Sequence, residues 1–170
     1  MHKVTRFRIF LALVIALAVH MTVLDHLKVF GAKPDLMLLL TIFFSLFLGA
    51  RRGLETGIMA GFLKDIFSFD VFGVNMFVLG VTGFMVGALN TKFYKESRSI
   101  QIGLVFVFSI FSMVLHYIMA SSVFKFVNLS LLDYLLSSII PAGFYTAIVS
   151  IPIFPYLIEV FGLRERRQFL

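Results

Sequence analysis

Apolar runs recur along the whole chain, separated by short polar breaks. Six of them cover about residues 7–24, 36–50, 53–69, 76–89, 100–124 and 138–156. At 1.5 Å per residue, roughly 20 apolar residues cross a hydrocarbon core about 30 Å thick, so runs of this kind predict membrane helices. The breaks carry their own signals. Lys33-Pro34-Asp35 precedes the second run, where Pro suits a first helical turn and an acid complements the helix dipole. Arg51-Arg52 separates the second run from the third, and Asp70 to Asn75, with Gly73 inside it, turns the third into the fourth. A basic stretch with Lys92, Lys95, Glu96 and Arg98 precedes the fifth.

The two ends need separate treatment. The first run follows MHKVTRFR and contains Ala16-Leu17-Ala18, which resembles a signal-peptide cleavage site. The apolar run continues past that site, so it is read as a retained span. The last apolar stretch, Leu131 to Phe161, would be about 46 Å long as one helix. Its first turns, with Asp133, are read as interfacial. Pro141, Pro152 and Pro155 are expected to bend or end the crossing.

Composition fixes the class. Hydrophobic residues make up 60% of the chain and charged ones 14%, with a mean hydropathy of +1.01, whereas a soluble domain is about half apolar and a quarter charged. The expectation is an all-α membrane protein, a single domain over residues 1–170, built as a bundle of about six transmembrane helices. Phe supplies 22 residues and Trp none, so Tyr must provide any aromatic belt. The absence of Cys excludes disulfides and thiol chemistry. The net charge of +6 would suit nucleic acid in a soluble protein, but here the basic residues sit in short loops and set orientation instead. With both termini cytoplasmic, the inner segments hold eleven Lys and Arg against four outside, at Lys28, Lys33, Lys64 and Lys125. The predicted topology is N-in, C-in.

Glycines stand out next. Gly49, Gly53, Gly57 and Gly61 follow a strict interval of four, and the next step lands on Asp65. Positions four apart share a helix face, and small residues in lipid let another helix approach closely. Gly49 and Gly53 shape the corner at Arg51-Arg52, and Gly53, Gly57 and Gly61 form the packing stripe. The partner in that packing is either a neighbouring helix of the bundle or another chain.

On the predicted topology, the polar residues gather in the outer half. Asp65 lies about 18 Å from the inner end of a span starting at Gly53, past the midplane, with His116 at similar depth. A carboxylate at depth faces protein or water. Two readings stand: a structural one, with Lys64 reaching outward and Asp65 paired to a neighbouring helix, and a functional one, an outer polar pocket of Asp65, His20 and His116. No metal-ligand spacing joins these residues, and neither metal nor cofactor is expected. His20-x-x-x-x-Asp25 matches the short His-Asp signature of glycerolipid acyltransferases, in which an acid orients an imidazole base, but the downstream block of that pattern is missing. No nucleophile elbow, zinc-protease motif or phosphate-binding loop is present, and no enzymatic activity is expected.

Several of these residues together resemble one family. Lys33-Pro34-Asp35-Leu36 opens a span, Gly49 and Gly53 follow, then Gly57-x-x-x-Gly61-Phe62-Leu63-Lys64-Asp65, then Phe72-Gly73-Val74-Asn75. In that order they resemble the rod shape-determining MreD family, with its Pro-Asp-Leu entry and its Gly-Leu-Leu-x-Asp segment followed by a Leu-Gly turn. Phe62 stands where Leu is usual. The specific likeness covers Lys33 to Asn75, and the rest agrees in length and hydropathy. Pro34, Asp35 and Gly73 carry over as motif positions beside Gly57, Gly61 and Asp65. The resemblance implies a multi-pass protein of the bacterial inner membrane, a non-catalytic scaffold in side-wall peptidoglycan synthesis and cell-shape maintenance. It implies MreC as direct partner, and a complex with the RodA-type glycosyltransferase, the elongation transpeptidase and the MreB filament. It also implies a six-helix fold similar to the substrate-binding component of energy-coupling-factor transporters. From the glycine stripe comes a further expectation, that it receives a single-span partner helix; a homodimer and bound membrane lipid are the other expected contacts, and nucleic acid is not. The rival reading is a substrate-binding subunit of a vitamin-type transporter.

Overall fold

The computed structural model describes residues 5–22, 33–68, 71–89, 97–123 and 138–163. Among them are six α-helices and no strand: α1 (Arg6–Thr22), α2 (Leu36–Leu48), α3 (Ala50–Phe67), α4 (Val74–Ala88), α5 (Arg98–Val123) and α6 (Ile140–Phe161). By length and composition, α5 and α6 are long and apolar enough to cross a membrane, while α2 and α4 are shorter apolar helices. Thus two helices, not six, carry a full-length signal. The reason is partly geometric: the 13 residues of α2 rise only about 20 Å. In α3, three charged residues sit in the first two turns and glycines replace large side chains.

Two boundaries differ from the sequence pattern. Arg51 and Arg52 do not lie in a loop; they belong to the first turn of α3. The break is Gly49 alone, whose φ of 87° and ψ of 176° fall in a region essentially reserved for glycine. One residue therefore reverses the chain between α2 and α3. At the other end, α6 does not stop near Tyr156. It runs through Pro152 and Pro155 to Phe161, closed by Gly162 in the left-handed conformation. A membrane helix tolerates such prolines where neighbouring groups satisfy the freed carbonyls.

The bundle is organised around α2. Every residue from Leu36 to Leu46 is buried, and α2 touches each of the other five helices. A helix that is apolar all round has to be surrounded. Phe43 packs edge-on against Phe44 and Phe154, and Phe44 against Phe161, with centroids 5.0–5.3 Å apart. Hydroxyls inside this core turn back onto their own helices: Thr41 donates to the Met37 carbonyl, Thr82 to Val78 and Thr146 to Ala142. Outward faces of the other helices are apolar as well. Leu54, Ile58, Phe62 and Ile66 form one exposed ridge on α3, and Phe144, Ile148 and Ile151 another on α6. An apolar exterior of this extent suits lipid contact.

Candidate functional site

Helices α3 and α4 run antiparallel at backbone contact. A Cβ on Gly53 would lie 2.2 Å from the Gly83 carbonyl oxygen. One on Gly57 would lie 2.1 Å from the Leu79 oxygen, and one on Gly61 2.4 Å from the Asn75 oxygen. The stripe is answered from α4, where a Cβ on Gly83 would meet the Gly53 oxygen at 2.3 Å and one on Gly87 would meet Ala50 at 2.5 Å. The open choice is thereby resolved. The stripe packs within the bundle, α4 fills it, and no space remains on that face for a partner helix. Gly49 alone shapes the corner; Gly53 belongs to the interface.

Asp65 terminates this interface. Because α3 ends at Phe67, Asp65 stands in its last turn, in the far half of the helix from Gly53, as its count along the chain implies. Its Oδ2 accepts from the backbone N–H groups of Gly73 (3.0 Å) and Met76 (3.1 Å). Its Oδ1 accepts from Asn75 N–H (3.2 Å) and Asn75 Nδ2 (2.8 Å). The first N–H groups of a helix lack intrahelical acceptors and carry partial positive charge. Asp65 supplies that cap from a different helix. Gly73, at φ 97°, makes the left-handed turn that brings α4's N-terminus over the carboxylate.

The neighbouring residue does something else. Successive helical side chains diverge by about 100°, so Lys64 faces α2 where Asp65 faces α4. Lys64 Nζ donates to Asp35 Oδ2 at 2.5 Å, with side-chain exposures of 25% and 19%. Asp35 is the N-cap of α2, its Oδ1 accepting from Leu38 N–H at 3.0 Å, and its own N–H donates to Thr146 Oγ1 on α6 at 3.1 Å. One residue therefore ties α2, α3 and α6 together at the end of the bundle where Asp65 caps α4. Pro34, buried, precedes the cap instead of occupying the first turn. Burial alone would push the Asp35 carboxyl up; the charges of Lys64 and His20, with the hydrogen bonds from Lys64 and Leu38, outweigh it and hold the group well below the usual carboxylate range.

This pair borders a cavity of about 180 Å³ whose lining includes Asn75, Ser112 and His116. The expected pocket of Asp65, His20 and His116 is thus corrected. His116 does line the cavity, but its charged companions are Asp35 and Lys64. Asp65 is turned away to α4, and His20 is buried on α1, close enough to Asp35 to act on its charge. Among the described residues, no three His, Cys, Asp or Glu come together. Asp25, the partner of His20 in the acyltransferase-like pattern, and Asp133 lie outside the described residues.

Lys64, expected to reach outward, pairs with Asp35 instead, and Asn75 and Thr146 carry no functional signal of their own in the sequence. Lys64 and Asn75 lie inside the quoted motifs, where adjacency to Asp65 and to Gly73 was the available signal. Nothing local marks Thr146. At the opposite end, Glu55 is held by Arg6 at 2.8 and 3.1 Å, with Arg52 at 3.3 Å and Arg51 at 3.8 Å. The described arginines thus cluster at the end away from the Asp35–Lys64 pair.

The family model described as rod shape-determining protein MreD matches residues 1–162. No curated protein and no solved structure matches the chain.

Proposed function

The chain belongs to the MreD family of rod shape-determining proteins, and from that membership we propose a non-catalytic, multi-pass scaffold of the bacterial inner membrane. The role in rod shape determination follows from the family. In the finer reading, all six helices cross the membrane N-in, C-in. The scaffold binds MreC directly and supports side-wall peptidoglycan synthesis alongside the RodA-type glycosyltransferase, the elongation transpeptidase and the MreB filament.

The family match over residues 1–162 is the observation that carries this reading. Two features of the molecule support it. The apolar exterior and the arginine-rich end agree with a multi-pass protein oriented by its basic residues. The inward-turned polar groups, Asp65 above all, serve helix ends rather than a substrate. The vitamin-binding alternative draws less support: the outer cavity is about 180 Å³ among the described residues, below the roughly 300 Å³ at which ligand pockets begin.

The direct test is co-expression with the cognate MreC, followed by extraction in mild detergent and purification through a tag on this chain. The expected result is stoichiometric MreC in the eluate, together with rod shape restored in cells depleted of their own copy. A folded, inserted chain that restores shape without retaining MreC sinks the partner assignment. One that retains MreC and leaves cells round sinks the scaffold role.

A further inference from the structure

A cleft of about 440 Å³ opens on the side of the bundle between α1 and α6. The backbones of the two helices stay apart, and both helices rest on α2, which forms the floor. The lining is apolar except for Arg8 and the hydroxyl of Tyr156. Ala12 and Ala16 keep the α1 wall low, and Leu39, Leu40 and Leu157 line the depth. Leu39 and Leu40 are 0% and 5% exposed, so the floor of the cleft is continuous with the buried core of α2.

Arg8 stands at the end where the described arginines gather. Its Nη2 donates to the Val160 carbonyl oxygen at 3.1 Å, and its guanidinium lies 5.3 Å over the Phe161 ring. Those contacts hold the group in place but use one of five N–H donors. Among the described residues no carboxylate pairs with it. From Arg8 to Val19, which also lines the cleft, the distance along α1 is about 16 Å, close to half of a 30 Å hydrocarbon core.

We propose that this cleft is a binding site for one anionic phospholipid of the inner leaflet, its phosphate on Arg8 and an acyl chain lying along α1 and α6 over α2. A planar, permanently charged guanidinium suits a phosphate, and the inner leaflet is where a basic side chain meets anionic headgroups. The cleft is one leaflet deep, largely apolar along its length and closed by a cation at its headgroup end. These three properties match a lipid better than a helix. The site is independent of the MreC assignment and stands whether or not that partner binds.

The test uses the full chain reconstituted in nanodiscs of equal phosphatidylglycerol and phosphatidylcholine, then released for native mass spectrometry. The wild type is expected to retain phosphatidylglycerol in preference. Arg8→Gln should lower that preference about fivefold, the effect of one basic side chain near a membrane surface. Arg8→Lys should keep most of it. Ala12→Phe, which fills the cleft, should reduce retention of both lipids. Because that substitution bears on packing, a photo-crosslinking residue at the exposed Ile15 gives a second reading, with an acyl-chain adduct expected. Equal retention of the two lipids by the wild type, or an unchanged preference in Arg8→Gln, overturns the proposal. So does an Ile15 adduct to a second copy of the chain in place of lipid.

Discussion

Lys64 and Asp65 are adjacent, yet each closes a different pair of helices. Asp65 provides acceptors for three backbone N–H groups at the start of α4, none of which has another acceptor in its own helix. Replacing it with Ala leaves one buried and two part-buried donors unmatched, a loss of about 3 kcal/mol. Asp65→Asn should recover only part of this, since one oxygen is exchanged for an NH₂ that faces other donors. Thermal unfolding in detergent, read by circular dichroism, would rank wild type above Asn above Ala; equal midpoints would remove Asp65 from its capping role. Lys64→Met tests the other pair. It leaves the Asp35 carboxylate largely enclosed without its cation, and the loss should be about 2 kcal/mol at neutral pH, short of the 3–5 kcal/mol of a fully buried pair. The sign with pH follows from a depressed carboxyl. Its stabilisation is complete above the value of an unfolded aspartate, about 3.9, and is lost as the pH falls further. The gap between wild type and Lys64→Met should therefore be widest near pH 7 and narrow below pH 4, and a gap independent of pH would argue against the ion pair.

At the scale of elements, the α3–α4 pair is the part of the fold most dependent on absent side chains. A Cβ on Gly57 would lie 2.1 Å from backbone, and backbone cannot swing aside as a side chain does. Gly57→Ala should therefore cost about 1–3 kcal/mol and Gly57→Leu more, by forcing the helices apart. Gly103, in the second turn of α5, is the internal contrast: a Cβ there meets nothing within 4 Å. Gly103→Ala should stabilise by about 0.5–1 kcal/mol, through helix propensity alone. Opposite signs for the same chemical change, measured by unfolding in one detergent, would locate the interface without a structure. This contrast also marks how far the sequence could be read. The interval of four placed Gly53, Gly57 and Gly61 on one face because helical periodicity is a local property. What covers that face was not legible, because the answering glycines on α4 are Gly80, Gly83 and Gly87, spaced three and four apart. The corner was misplaced for a similar reason: Arg51-Arg52 reads as a loop, while the backbone reverses on Gly49 alone. Depth can be counted along one helix, and that count is what makes Asp65 a candidate for the outer pocket. Which neighbour a side chain faces depends on the rotation of that helix in the bundle, and so Asp35 and Lys64 took its place beside His116.

For the whole molecule, the distribution of charge and the orientation of the bundle are one question. Arg6 on α1 reaches Glu55 on α3, and Arg8 reaches the C-terminal turn of α6, so these three helix ends lie together. The turn at Phe72 and Gly73 joins the far ends of α3 and α4, beside the Asp35–Lys64 pair. If basic residues remain inside, the first group of ends is cytoplasmic and the Phe72 turn faces the periplasm. The chain contains no Cys, so single reporters can be introduced on a silent background. Phe72 is 61% exposed and the Arg51 side chain 90% exposed, so neither substitution opens the core. In intact cells permeable only at the outer membrane, an impermeant thiol reagent should label Phe72→Cys. Arg51→Cys should react only after the inner membrane is opened. The reverse pattern would invert the bundle. It would then place Arg8 and its cleft in the outer leaflet and remove the inner-leaflet lipid from the proposal. Labelling of both positions in intact cells would mean that α3 does not cross the bilayer, which is the outcome its short, glycine-rich sequence leaves to be measured.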